Sequence, residues 1–356
     1  MSRRPAPPPP GGMGVGQNIA QSCLIAGCVT VLVPCLMVFG FFLFLYFVAV
    51  SGMEQAGNAG GGGLGSIYQS SGNTNLSERQ LRRGSDDAVI AIVTIQGVIN
   101  GNGSPLDGDG SMAYVSEQLR AVAANDNVRA VILQVDSPGG GLTASDQLYN
   151  EVKKLREKNI PVLAWAGSMM ASGGYYIAVA ADEIMASPTA TVGSIGVIMQ
   201  HFQVRELLEK IGVKVDPITS GERKDLASPF REMTDEERQL LQNYIDTAHK
   251  RFVDIVAEGR KMPEEEVRKL ADGGIFSAEA AKENGLVDSV GYIDDAIAWA
   301  EAKAKKKNMR VIGYRRIISF GDLFREAGRG AAGAVIESAA NEPATPRAMA
   351  VWDGGN

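Results

Sequence analysis

Ser172 is the residue in this sequence best placed to act as a nucleophile. It lies in the run Ala171-Ser172-Gly173-Gly174, between an apolar strand-like segment and an apolar helix-like segment. A serine at a strand–turn–helix junction exposes its hydroxyl, and the helix N-terminus favours the negative charge that develops during acyl transfer. A purely structural interpretation is also open, because serine is among the preferred residues for capping a helix N-terminus.

A serine nucleophile needs a general base, and the sequence offers Lys224 in the run S-G-E-R-K. Neither of the two histidines, His201 and His249, lies in a context that supports catalysis. Bringing the pKa of a lysine from about 10.4 to near 7 takes about 4 to 5 kcal/mol, which burial beside an apolar substrate can supply. Arg223 cannot act in this way, because a guanidinium keeps its proton. The alternative for Lys224 is an ordinary surface lysine.

A glycine-rich turn supplies a third chemical element. The run D-S-P-G-G-G at residues 136–141 follows the apolar segment Ala130–Val135 and precedes a helix-like segment. Glycines there let backbone N–H groups point outward and form an oxyanion hole, in which each donor contributes about 10²–10³ in rate. A phosphate cradle is the second interpretation, although the G-K-[ST] ending of a P-loop is missing. A plain tight turn is the third.

These residues must be positioned by a sheet and its covering helices. Apolar, β-branched runs predict strands at Ala88–Ile95, Ala130–Val135, Pro161–Trp165, Glu183–Ala186 and Val213–Ile218. Helical spacing predicts helices at Val115–Ala124, Ser172–Ala181, Val204–Ile211, Thr234–Arg260, Pro263–Ala271, Ser277–Asn284 and Ile293–Lys305. The helix from Thr234 has a capping-box signature with Glu237. Strands that alternate with helices indicate an α/β fold with a parallel or mixed sheet.

Composition excludes several classes of function. The net charge of -6 gives no electrostatic reason to expect nucleic acid as a partner. The three cysteines, Cys23, Cys28 and Cys35, fall in one apolar stretch, so none is available as a nucleophile or metal ligand in the rest of the chain. The two histidines lack metal-ligand spacing, and we expect neither a metal nor a cofactor.

The N-terminal part predicts a membrane anchor. Residues 1–22 include a Pro- and Gly-rich stretch and predict a disordered cytoplasmic tail, whereas residues 23–50 carry no charge and are long enough to cross a bilayer as a helix. A cleaved signal peptide is disfavoured because its apolar region is usually only about 7–15 residues long. A lipobox at Ile25–Cys28 is disfavoured because its cysteine lies near the start of the apolar run.

Charges flanking this segment predict its orientation. Arg3 and Arg4 precede it, and the next basic residue is Arg79, so the positive-inside tendency places the N-terminus in the cytoplasm and the large domain outside. Residues 51–86 then predict a flexible linker, residues 87–320 the folded domain, and residues 321–356 a weakly ordered tail.

The ordered motifs resemble peptidase family S49, the signal peptide peptidase SppA family, in its short form with a single anchor. The resemblance runs from about Val89 to Gly291 and rests on the motifs D-S-P-G-G-G, A-S-G-G-Y-Y, T-V-G-S-I-G-V, S-G-E-R-K and G-L-V-D. It implies a ClpP/crotonase-like fold and assembly into homo-oligomeric rings in which neighbouring protomers complete each active site. The implied activity is cleavage of signal-peptide remnants or similar short apolar peptides.

The resemblance also implies a set of site residues. Ser172 is the expected nucleophile, Lys224 the base and Ser194 the residue that orients the lysine, while Gly139 and Gly140 are the expected oxyanion donors. Because each motif occurs once, the long duplicated form is excluded. The chain departs from many relatives at Ala227, where we expect glycine, and we expect this to affect the local turn more than the chemistry.

Two other functions stay open on the sequence. A crotonase-type acyl-CoA enzyme shares the implied fold and oxyanion hole but needs no serine nucleophile. An inactive membrane scaffold would keep the ring without the chemistry. The Ser172 and Lys224 pair and the predicted anchor disfavour the first, and the presence of Ser172, Lys224 and Ser194 together disfavours the second.

Overall fold

The computed structural model describes residues 76–101, 111–317 and 349–351, all within a unit that spans residues 74–356. The tail predicted at 1–22, the anchor predicted at 23–50 and nearly all of the tail predicted at 321–356 lie outside the described residues. No helix in the described part of the chain is long and apolar enough to cross a membrane.

The described residues alternate strands with helices, as the sequence predicts for an α/β fold. The strands are β1 (Leu76–Arg82), β2 (Ser85–Gln96), β3 (Val128–Ser137), β4 (Gly139–Gly141), β5 (Val162–Ala171), β6 (Glu183–Ala186), β7 (Thr191–Gly193), β8 (Ile275–Ser277), β9 (Ser289–Val290), β10 (Met309–Arg316) and β11 (Met349–Val351). The helices are α1 (Met112–Ala124), α2 (Leu142–Glu157), α3 (Gly173–Ala178), α4 (Arg205–Lys210), α5 (Asp235–Arg260), α6 (Glu264–Leu270), α7 (Ala278–Glu283) and α8 (Ile293–Lys303).

A mixed sheet forms the centre of the fold. Its strand order is β1-β10-β2-β3-β5-β6-β9, and β7 pairs with the far end of β5 and with β8. The pairs from β10 through β9 are parallel, whereas β1–β10 and β7–β8 are antiparallel. Separately, β4 pairs antiparallel with β11. Because strands β2, β3 and β5 run side by side, their carboxyl ends bring the predicted site segments to one edge.

Alternate residues of β2 enter two apolar cores on opposite faces of the sheet. Val89, Ala91 and Val93 belong to the larger core, which also contains residues of α1, α2, α3 and α5. Ile90 and Ile92 belong to the smaller core, which contains residues of α8. Burial on both faces explains why the sequence of this strand reads as a continuous apolar run rather than an alternating one.

Two tyrosines fix helix α3 in the larger core. The hydroxyl of Tyr175 donates a 2.8 Å hydrogen bond to the carbonyl of Leu286, and burial raises the pKa of Tyr175 far above its ordinary value, so the donor keeps its proton. The hydroxyl of Tyr176 donates to Asp146 at 2.6 Å, and its ring centroid lies 4.9 Å from that of Phe252 on α5. The helix that begins after Ser172 therefore has little freedom to shift.

The structure changes two sequence predictions about the edges of the fold. Strand β1 lies inside residues 51–86, which the composition predicts as a flexible linker, so ordered structure begins before residue 87. This strand pairs with β10, whose distance along the chain hides the partnership from local patterns. The strand predicted at Val213–Ile218 is an exposed irregular segment instead, because no other described strand lies alongside it.

Phe252 provides a test of the contact between α3 and α5. It is fully buried, so replacing it with alanine leaves a cavity beneath Tyr176. We expect Phe252→Ala to lower the free energy of unfolding by about 3 to 5 kcal/mol in urea titrations. The control Leu81→Ala, at a side chain 48% exposed on the edge strand β1, should lower it by less than about 1 kcal/mol. Equal losses in the two variants would contradict this view of the core.

Candidate active site

Ser172 lies at the turn between strand β5 and helix α3, as the sequence predicts. Its backbone has φ 50° and ψ -118°, a combination that non-glycine residues rarely adopt, and the residue is 1% exposed. Such a conformation costs about 1 to 3 kcal/mol and persists only where the surroundings impose it. The carbonyl of Ser172 accepts a 2.8 Å bond from the N–H of Tyr176, which starts the helix. A strained serine at a strand-to-helix turn is the geometry of a nucleophile elbow.

Ser194 lies beside Ser172 on the neighbouring strand. Strand β7 pairs in parallel with the end of β5, where Ala171 lies opposite Gly193, and the N–H of Ser172 donates a 2.7 Å bond to the Gly193 carbonyl. Ser194 follows with φ 50°, and its N–H donates to the Gly274 carbonyl at 2.7 Å. The structure thus brings together two serines that lie far apart in the sequence, and both have strained backbones.

The glycine turn approaches the Ser172 turn through Gly140. A Cβ atom placed on Gly173 would lie 3.1 Å from the backbone nitrogen of Gly140. Gly140 itself tolerates no side chain, because its Cβ would lie 2.0 Å from the carbonyl oxygen of Ile99. The N–H of Gly139 points elsewhere and donates to the hydroxyl of Ser137 at 3.1 Å. The Gly139 N–H thus has a side-chain acceptor, while the Gly140 nitrogen lies close to Gly173, and the role of either amide as an oxyanion donor stays a prediction.

The sequence prediction omitted one amide, that of Gly173. As the first residue of α3, Gly173 has an N–H with no acceptor inside its own helix. It directly follows Ser172, the position from which a nucleophile elbow contributes an oxyanion donor. The signal was present in the sequence as a small residue at the predicted helix start, but only the fold shows that the Gly140 amide lies beside it.

Lys224 is an exposed residue of the turn that begins at Ser220. Within the described residues, no hydrogen bond joins it to Ser172 or to Ser194. The preceding segment is exposed as well, and the side chain of Ile218 is 100% exposed. Ala227, which follows the turn, is buried and has φ 59°, a left-handed conformation that explains why glycine is the expected residue there.

A cleft of about 390 Å³ opens next to Ser194. Its lining includes Asp246 and His249 of α5 and Asp272 from the loop before β8. The Nε2 atom of His249 lies 2.9 Å from the carbonyl oxygen of Ala271, so this nitrogen is committed to a backbone acceptor. His249 therefore lies near the site without being oriented as a base for Ser172. In the described part of the chain, no group of His, Cys, Asp and Glu side chains could hold a metal ion.

Comparisons with known proteins point to one peptidase family. The model described as Peptidase family S49 matches residues 154–307, which contain Ser172, Ser194 and Lys224. A model described as Clp protease matches residues 103–195. A relative from Enterococcus faecium that is named for signal peptide peptidase SppA is 36% identical over 271 residues, which cover 74% of this chain and 76% of the relative. This chain belongs to peptidase family S49.

Membership makes this S49 protein a serine peptidase of the SppA type. The chloroplastic serine protease SPPA of Arabidopsis thaliana is 37% identical over 60% of the chain, but the match covers only 32% of that longer protein. A solved ClpP1 mutant from Listeria monocytogenes is 18% identical, covers 58% of this chain and 94% of its own, and has a TM-score of 0.40. The Clp protease match together with the mixed sheet confirms the expected ClpP-like α/β fold of the S49 peptidase.

Gly173→Ala tests the contact between the two glycine segments of this S49 peptidase. The added Cβ would lie 2.5 Å from the Ser145 hydroxyl and 3.1 Å from the Gly140 nitrogen, so the Ser145 side chain must shift and the Gly140 backbone must give way by a few tenths of an ångström. We expect kcat for a fluorogenic peptide to fall by about 10²–10³-fold, the loss typical of one oxyanion donor. Gly101→Ala, whose added Cβ meets no atom of the described residues within 4 Å, serves as the control. A Gly173→Ala enzyme with unchanged kcat would show that this amide pair is not used.

Proposed function

We propose that this S49 peptidase is a membrane-anchored endopeptidase that hydrolyses short apolar peptides with a dyad of Ser172 and Lys224. The observation that carries the proposal is the strained Ser172 turn with the Gly140 amide beside it. A crotonase-type enzyme needs an oxyanion hole but has no use for a strained serine at its centre. The backbone strain at Ser172 therefore favours acyl transfer through a covalent intermediate.

The proposed reaction proceeds in two steps. Lys224 Nζ takes the hydroxyl proton as Ser172 Oγ bonds to the carbonyl carbon, and the amides of Gly140 and Gly173 hold the resulting oxyanion. The lysine then returns the proton to the leaving amine, which leaves an acyl-enzyme. A water molecule, deprotonated by Lys224, attacks the acyl carbon, and the proton passes back to Ser172 as the acid product departs. Ser194 orients the lysine.

Backbone pairing at β4 supports a peptide as the substrate. Strand β4 accepts the chain's own segment β11 as an antiparallel partner, with Gly140 opposite Ala350 and Gly139 opposite Val351. A peptide that added to this edge in the same way would run directly past Ser172. Strand addition of this kind derives affinity from main-chain hydrogen bonds, which suits an enzyme that accepts many sequences.

The dyad is proposed to form between neighbouring subunits. Lys224 belongs to an arm of residues 198–230, which presents Phe202, Leu207, Ile211 and Ile218 with exposures of 72, 60, 64 and 100%. Large apolar side chains so exposed mark a surface that another protein covers. A second copy of the chain is the natural partner, because each copy has a buried serine that needs a base. In a ring with heterologous contacts, each serine would receive one lysine from the neighbouring subunit.

The proposed substrates and location follow from the N-terminal segment. Residues 23–50, outside the described residues, would anchor the enzyme with its catalytic domain on the extracytoplasmic side. Signal-peptide remnants are apolar and are released at the membrane, so an anchored peptidase meets them where they form. An apolar substrate would also exclude water from around the base, which favours the neutral lysine.

Mixing two inactive variants tests whether the dyad is shared. We expect Ser172→Ala and Lys224→Ala each to abolish peptide hydrolysis while leaving the oligomer intact. When the two are unfolded and reassembled together, one subunit contributes Ser172 and its neighbour Lys224. Random equal mixing of a heterologous ring should then restore about one quarter of wild-type activity.

Two controls define that experiment. Lys214→Ala changes another exposed lysine of the same arm and should keep normal turnover. A serine-directed covalent probe should label the wild type at Ser172 and leave Ser172→Ala unlabelled. Normal turnover by either single variant would contradict the proposed dyad. A mixture that stays inactive despite proven co-assembly would mean that Ser172 and Lys224 of the same chain act together.

Removing residues 349–356 tests the pairing at β4. Because β11 occupies the edge on which we propose the substrate to bind, its deletion frees that edge without touching the site residues. We expect kcat/KM for a peptide to rise by about 2- to 10-fold, since an intramolecular competitor is lost. The unfolding midpoint should change little. A kcat/KM that stays constant or falls would mean that peptides do not use this edge.

A further inference from the structure

The turn that carries Lys224 is tied down by one arginine. Arg231 binds the carboxylate of Asp225, the residue after Lys224, with two parallel hydrogen bonds. Its Nε donates to Oδ2 at 2.7 Å and its Nη2 donates to Oδ1 at 2.9 Å. Its Nη2 also lies 3.4 Å from the Asp225 carbonyl oxygen. A bidentate arginine–carboxylate pair restricts orientation as well as distance.

The same guanidinium reaches the start of helix α5. Its Nη1 donates to Glu237 Oε2 at 2.8 Å, and Nη2 donates to the other oxygen of that carboxylate. Glu237 is only 6% exposed and closes the capping box, in which it accepts the N–H of Thr234 at 2.9 Å. Arg231 therefore joins the turn that carries Lys224 to the capped N-terminus of helix α5.

Both carboxylates stay ionised under working conditions. The hydrogen bond from Arg231 lowers the pKa of Asp225 below its ordinary value and lowers that of Glu237 to about 2. The pairing also raises the pKa of Arg231 above its ordinary value. The cluster of one cation and two anions is thus complete at neutral pH, and it loses its charges only in strong acid.

Few other contacts locate this turn. Its own backbone bonds are local, from Lys224 N–H to the Gly221 carbonyl at 3.1 Å and from Ser228 N–H to the Asp225 carbonyl at 2.9 Å. One longer bond joins the N–H of Val204 to the Pro229 carbonyl at 2.8 Å. Within the described residues, the side-chain hydrogen bonds that link this turn to α5 all run through Arg231.

We propose that Arg231 is a positioning residue for catalysis, which fixes the Lys224 turn on the N-terminus of α5 so that the lysine meets its serine. The proposal rests on the role of Lys224 given above. A base must lie within hydrogen-bond reach of the proton it takes, and a misplacement of about 1 Å can cost about 10²-fold in rate. Lysine cannot replace the arginine, because an ammonium offers no planar fork.

Steady-state kinetics of two variants test the positioning. We expect Arg231→Lys to lower kcat by about 10-fold and Arg231→Gln by about 100-fold, with KM changed less than about 3-fold, because the peptide edge at β4 is untouched. Asp225→Asn, which keeps the arginine–Glu237 pair and the helix cap, should lower kcat to a similar extent as Arg231→Lys. If Arg231→Gln fails to assemble, the kcat of Asp225→Asn tests the positioning role instead.

The pH profile distinguishes a role of Arg231 in positioning Lys224 from a general loss of folded structure. In Arg231→Gln the carboxylate of Asp225 loses its partner beside Lys224 and favours the protonated lysine, so the acidic limb of kcat/KM moves to higher pH. Glu237 shares the Arg231 guanidinium with Asp225, and the nearby carboxylate of Glu232 is paired with Arg205 at 3.5 Å. Adding Asp225→Asn to Arg231→Gln should return the limb to the wild-type pH without restoring kcat.

Matched controls decide between the possible outcomes. Arg268→Gln removes an exposed ion pair to Glu264 elsewhere on the chain and should leave kcat and the pH profile unchanged. If Lys224→Ala is inactive but Arg231→Gln and Asp225→Asn both have wild-type kcat and pH profile, the positioning role is overturned and the dyad stands. If Lys224→Ala turns over normally, the dyad itself falls.

Discussion

The hydrogen bond from the Ser172 N–H to the Gly193 carbonyl is the interaction on which the site depends. It ties the Ser172 turn to strand β7 at the point where β5 ends, and Ser194 directly follows that strand. The strained backbone at Ser172 survives because this bond fixes one side while the buried helix α3 fixes the other. The packing of Tyr175 and Tyr176 thus acts on the chemistry through the position of a single turn.

The described residues divide into a rigid part and an exposed part with different tasks. The sheet and its cores hold Ser172 and the Gly140 amide, where small displacements are resisted by close packing. The arm at residues 198–230 has few buried apolar side chains, and the turn that carries Lys224 is held by the ion pair between Arg231 and Asp225. Precision in the first part comes from burial, and in the second from directed hydrogen bonds.

Local chemistry explains which features the sequence could predict. Buried strands such as β2 could be predicted because burial on both faces requires continuous apolar residues. The capping box of Thr234 and Glu237 is a short-range sequence pattern, and the structure confirms it. The ClpP-like fold was predicted through the ordered motifs, and the family comparison confirms it. The junction at Ser172 followed from an apolar strand, a small turn and a helix in succession.

Long-range pairing explains what the sequence missed. The strand β1 within the predicted linker depends on β10, far away in the chain. Val213–Ile218 has strand-forming residues, but no strand of the described part of the chain pairs with it. The contacts of the glycine turn also depend on distant residues, because Ile99 approaches Gly140 closely and the Gly139 N–H donates to the Ser137 hydroxyl.

The apolar surface of the arm has a consequence for the assembly of the enzyme. Under the shared-dyad proposal, a lone subunit would expose Phe202, Leu207 and Ile218 to water and would also lack the lysine of a second subunit. Under the shared-dyad proposal, covering that surface and completing the catalytic pair are one event. Newly made or diluted subunits would then be unable to degrade other proteins before they assemble.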